Sequence, residues 1–151
     1  MTCTPCWRQF SAFKITGMWV GGHSWGSMFA KNFVCDPMLQ DKARGVIGMS
    51  GGPTGVRGNC AARLSQIHTN GELEGGEAGV PDQTAAASAH GCSARLPPND
   101  IGNGQIVYEW PDCDPGWVHF NVVMGAHEHI TPIDPPVVEY IVDAIKSTEQ
   151  P

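Results

Sequence analysis

Five consecutive residues, Gly22-His23-Ser24-Trp25-Gly26, have the form G-x-S-x-G. A serine hydroxyl is a weak nucleophile, and it becomes useful in acyl transfer when a base takes its proton and an acid orients that base. The pattern suits this chemistry when a strand precedes it and a helix follows. The sharp strand-to-helix turn strains the serine backbone and presents Oγ at the carboxyl edge of a sheet, and glycines on both sides remove side chains that would collide. A helix starting there sets the Trp25 N–H and the positive end of the helix dipole beside a developing oxyanion. Six histidines compete for the base. His23 sits inside the motif, His68 closes a strand, His90 ends a helix and His119 lies within a strand, whereas His127 and His129 follow the last strand. Ligands bind at that carboxyl edge in open α/β sheets, and His127, nearer the strand end, is favoured over His129. For the acid, Glu72, Glu74 and Glu77 follow the third strand, and Glu72 is the one close enough to the strand end to be held in place.

The elements that must carry these residues follow from apolar periodicity. Lys14 to Val20 is β-favouring and leads through the glycines of the motif to a helix over Ser27 to Val34, with Met28, Phe29 and Phe33 on one face. Ala43 to Ser50 reads as a buried parallel strand, and Arg63 to His68 as a weaker third one. Asn70 to Glu77 is acidic and glycine-rich, which suits neither strand nor helix. Asp82 is placed to cap a short alanine-rich helix ending at His90, with Gly91 as its stop. Gln105 to Trp110 alternates Ile106, Tyr108 and Trp110 on one face, and Val118, Phe120, Val122 and Met124 alternate in the last strand. Asp134-Pro135-Pro136 opens a final helix with a stripe of Val137, Val138, Ile141, Val142 and Ile145. Strands alternating with helices predict an α/β layer with a mainly parallel sheet.

Composition excludes several classes of function. The chain has 151 residues, net charge −6 and 16% charged residues, with 19 Gly and 12 Pro. This is a single-domain length, rich in loops, and too poor in charge for a coiled coil. An acidic chain without a Lys/Arg cluster lacks the electrostatic footprint of a nucleic-acid binder or a polybasic membrane surface. No stretch reaches the roughly 18 apolar residues of a spanning helix, and Met1 to Phe10 does not have the apolar core of a signal peptide. The 6 cysteines suit bridges in an oxidising compartment. Cys3 and Cys6 form a CxxC, yet no second pair at zinc spacing accompanies them. No cofactor is expected. Trp25, Trp110 and Trp117 are either core residues or the lining of a cleft.

With these residues in place, the chain resembles the second half of an α/β-hydrolase, and within that fold the secreted polyhydroxybutyrate depolymerase and feruloyl esterase group. The likeness runs from Gly22 to about Ile145. The family's acid closes a pattern like H-G-x-x-D. His68-Thr69-Asn70-Gly71-Glu72 lies over it, with Glu in the place of Asp. Its last strand ends in G-G-H-x-W-P, matched by Gly125-Ala126-His127-Glu128-His129 without the Trp-Pro. An alanine-rich helix ending in Gly91-Cys92 and a later Cys113 match the family's helix and Cys-containing hairpin. The resemblance implies a Ser24-Glu72-His127 triad, a Trp25 oxyanion N–H, a Cys92–Cys113 bridge, a small or polymeric ester substrate and a secreted protein. It also implies that the strands preceding the elbow in the family, and the loop that donates their second oxyanion N–H, are not among these residues. The 151 residues then form one incomplete domain whose elbow strand is a sheet edge, open to self-association. Two other readings remain at this level. One is a catalytically inactive remnant serving as an interaction module. The other is a metal protein using His127, His129 and either His119 or Glu128, since residues two apart on an extended segment point the same way.

Overall fold

The computed structural model describes residues 17–39, 42–50, 64–74, 80–102, 104–116, 119–124 and 135–149. Its strands are β1 (Met18–His23), β2 (Ala43–Met49), β3 (Ser65–Gly71), β4 (Asn99–Gly102), β5 (Gln105–Trp110) and β6 (His119–Met124). Its helices are α1 (Trp25–Phe33), α2 (Val80–Ala89) and α3 (Pro135–Glu149), with a 3-10 turn at Glu72–Glu74. The strands form one sheet in the order β1-β2-β3-β6-β5-β4. β1, β2, β3 and β6 pair in parallel, while β4 and β5 are antiparallel. The chain is therefore a mixed α/β protein built on a mainly parallel sheet.

Strand alternation sorts the apolar residues onto two faces. On one face Ala30 of α1 and Val34 just after it pack with Val20, Ala43, Val46 and Leu64, and Ala87 of α2 packs with Tyr108, Trp110, Ile106 and Cys92. On the other face Val137, Tyr140, Ile141, Ala144 and Ile145 of α3 cover Ile67, Val107, Trp19 and Ile47. Residues 46 and 47, or 107 and 108, thus belong to opposite layers, as the two-residue period requires. Helices on both sides bury a parallel sheet, the usual way such sheets are kept from water.

Several boundaries and faces differ from the sequence reading. β1 continues through Gly21, Gly22 and His23, and α1 begins at Trp25, so the whole turn is the single residue Ser24. The glycines belong to the strand. Further, α1 turns Ser27, Ala30, Lys31 and Val34 inward, while Phe29 is 66% exposed. The cause is a narrow gap. A Cβ on Gly22 would collide with the Gly26 carbonyl, and one on Gly48 would meet Ser27 Oγ at 2.8 Å and Lys31 Cε at 3.1 Å. A helix drawn so close to the sheet has room for small side chains and a lysine stem, not for phenylalanine rings.

The stretch expected to be irregular from Asn70 is in part regular, because β3 runs to Gly71 before the 3-10 turn. Helix α2 starts at Val80, so Asp82 lies in its first turn and does not precede it. Its end is as expected. Gly91 has φ +70°, and the Gly91 N–H donates to the Ser88 carbonyl and the Cys92 N–H to the Ala87 carbonyl, the paired bonds of a Schellman stop. In α3 the inward face is Val137, Tyr140, Ile141, Ala144 and Ile145. Val138 and Val142 are 39% and 40% exposed, so the buried stripe has the narrower i, i+3, i+4 spacing. Asp134 lies outside the described residues.

Candidate active site

Parallel pairing brings the carboxyl ends of β1, β2, β3 and β6 to one edge of the sheet. His23 pairs with Met49, Met49 with Thr69, and Gly71 with Met124. Ser24, Ser50 and Glu72 therefore leave the sheet along one rim.

Ser24 has φ 55° and ψ −124°, backbone angles that a residue with a side chain seldom adopts and that are sustained only where the surroundings fix them. Here they are fixed on both sides. The Ser24 N–H donates to the Met49 carbonyl at 2.8 Å, and the Ser24 carbonyl accepts from the Ser27 N–H at 3.0 Å. One residue thus ends a strand ladder and starts a helix. The Gly22 Cα lies against the Gly26 carbonyl, so Gly22 admits no side chain, whereas a Cβ on Gly26 would have nothing within 4 Å. Of the two glycines expected to relieve collisions, only Gly22 does so. The first N–H groups of a helix have no intrahelical acceptor, which leaves the Trp25 N–H at the start of α1 suited to an oxyanion. The Trp25 side chain is 79% exposed.

Glu72 is exposed, in the 3-10 turn directly after β3, and Glu74 ends the same turn. β1 and β3 are separated by one strand, roughly 10 Å between axes. His127 and His129, together with Glu77, Trp117 and Glu128, lie outside the described residues. β6 ends at Met124 on this rim, three residues before His127. Of the described histidines, His68 and His90 are buried, His23 ends β1 at this rim beside Ser24, and His119 starts β6 at the opposite edge. Among the described residues, no three His, Cys, Asp or Glu gather as metal ligands would, and no helix is long and apolar enough to cross a membrane.

Cys92 and Cys113 form a disulfide. Cys35 is disulfide-bonded as well. Trp110 is 3% exposed and belongs to the core. One feature of the rim escaped the sequence reading. Ser50, at the end of β2, has φ 46° and is 4% exposed. Its only sequence signal is the following Gly51-Gly52-Pro53, which marks the strand end without marking the serine. Compared with known proteins, the chain matches no family model and no curated sequence.

Proposed function

We propose that this chain is a serine carboxylic ester hydrolase, built on the part of an α/β-hydrolase that begins at the nucleophile elbow and akin to the polyhydroxybutyrate depolymerase and feruloyl esterase group. One observation carries the reading: Ser24 is a single strained residue between a parallel strand and a helix, with Gly22 in backbone contact beneath it. An α/β-hydrolase elbow has these properties. Order along the chain also supports it, since Ser24, Glu72 and His127 follow the sequence nucleophile, acid, base.

In this mechanism the Ser24 hydroxyl attacks the ester carbonyl as His127 accepts its proton, and the oxyanion is held by the Trp25 N–H. Collapse expels the alcohol, which takes the proton from His127. Water, deprotonated by the same imidazole, releases the acid and restores Ser24. Glu72 orients the imidazole, with Glu74 and His129 as the alternates. The disulfides suit a secreted protein.

Hydrolysis of p-nitrophenyl acetate tests the reading. Ser24→Ala and His127→Ala are each expected to lower turnover by about 1,000-fold or more, with secondary structure intact. Activity should fall as pH drops through about 6.5, where imidazole protonates. Turnover unchanged in Ser24→Ala overturns the proposal in favour of a non-catalytic interaction module. The exposed Trp25 and Phe29, beside β1, which is the outermost strand among the described residues, favour that second reading.

A further inference from the structure

The last rung at the rim is a single peptide group. The Met49 carbonyl accepts the Ser24 N–H at 2.8 Å, and the N–H of the next residue, Ser50, donates to the Thr69 carbonyl at 2.9 Å. The Met49–Ser50 peptide thus links the backbone of the proposed nucleophile to the end of β3, three residues before Glu72. Ser50 itself has a left-handed backbone, φ 46°, in a site 4% exposed. Of the three non-glycine residues with positive φ among the described ones, two are therefore Ser24 and Ser50, neighbours across the β1–β2 pair. Strain held at adjacent strand ends, each locked by a ladder bond, points to a function for both.

We propose that Ser50 is a positioning residue. Its left-handed turn holds the Met49–Ser50 peptide in place, and through that peptide sets Ser24 at a fixed spacing from the strand that carries the proposed acid. This rests on the esterase reading for its consequence in catalysis, but not for its structural content. The relevant property of Ser50 is its backbone conformation. Glycine and asparagine adopt it readily and a β-branched residue does not.

The test compares Ser50→Gly, Ser50→Asn and Ser50→Val in the full chain. Two readouts are taken: labelling of Ser24 by a fluorophosphonate, and hydrogen exchange at the Ser24 amide, with the Val107 amide in β5 as the internal control. Gly and Asn variants should label within about 3-fold of the parent. The Val variant should label about 10-fold or more slowly, and its Ser24 amide should exchange about 10-fold faster while Val107 does not change. If Ser50→Val does not fold, Ser50→Ala carries the same comparison with a smaller effect. The proposal is overturned if Val leaves Ser24 exchange at the parent value, or if Gly disturbs the site as much as Val, which would assign the role to the hydroxyl. If the parent chain does not label, the esterase reading fails by itself and the exchange comparison still decides whether Ser50 positions Ser24.

Discussion

The two ends of the sheet are held by opposite means. At the elbow end, β1 and α1 are joined by close approach. Gly22 abuts the Gly26 carbonyl, Ser27 and Lys31 settle over Gly48, and both Ser24 and Ser50 have positive φ. At the hairpin end, α2 and β5 are joined by cross-links. The Cys92–Cys113 disulfide is flanked by bonds from the Ser93 N–H to the Pro111 carbonyl at 2.8 Å and from the Asp114 N–H to the His90 carbonyl at 2.9 Å. Ala87, Tyr108 and Trp110 pack beneath, and the Arg95 guanidinium lies 4.7 Å from the centre of the Tyr108 ring. The elbow end depends on atoms that are absent, and the hairpin end on bonds that are present. A strained region cannot also relax into its best packing, so stability is supplied at the other end.

Substitutions that fill or cut these two ends sharpen the contrast. The largest effect is expected for Gly22→Ala. Its Cβ has only backbone to displace, so the elbow opens at a cost of about 3 kcal/mol or more, read as a fall of about 10 °C in Tm and loss of Ser24 reactivity. Next, Cys92→Ser with Cys113→Ser opens a loop with a sequence separation of 21 and should lower stability by about 3 kcal/mol. Ser24 labelling, measured below the lowered Tm, should be retained. Coupled loss of labelling would mean that the two ends are not independent.

A smaller effect of opposite sign is expected for Gly26→Ala, because nothing lies within 4 Å of the new Cβ and alanine is the better helix former by about 1 kcal/mol. A rise of about 3 °C in Tm would separate the two glycines of one motif, and destabilisation would contradict the account of the turn.

The smallest effect concerns α3, beneath the centre of the sheet. The Tyr140 hydroxyl donates to Glu109 Oε2 at 3.2 Å. Burial first, and then the Glu109 charge and hydrogen bond, push its pKa from 10.0 up to about 12. The neutral phenol is thus favoured in the folded state. Its contribution is fully present below pH about 10, the unfolded value, and is lost as pH rises from there through about 12. Tyr140→Phe should flatten that alkaline fall in thermal stability.

Much of the architecture was legible in the sequence because it follows from periodicity. The alternation of Ile106, Tyr108 and Trp110 and the Gly91 stop each have a local physical cause, and each is found. The face of α1 was not legible. Phe29 has the type of a core residue, but the approach of the helix to the sheet at Gly22 is a tertiary fact, and it excludes the ring in favour of Ser27 and Lys31. Ser50 was hidden for a related reason, since serine has no local preference for a positive φ and its buried place beside the elbow is a tertiary fact. For the site, the spacing of G-x-S-x-G marked the turn and the strand end marked Glu72. His127 and His129 lie outside the described part of the chain.

Everything proposed for catalysis rests on Ser24 being an activated nucleophile. Mass spectrometry of the folded protein after reaction with a fluorophosphonate tests it most directly. One adduct is expected, on the peptide carrying Ser24, lost in Ser24→Ala and formed more slowly below pH about 6.5. No adduct on the folded parent chain, or one that persists in Ser24→Ala, would contradict it.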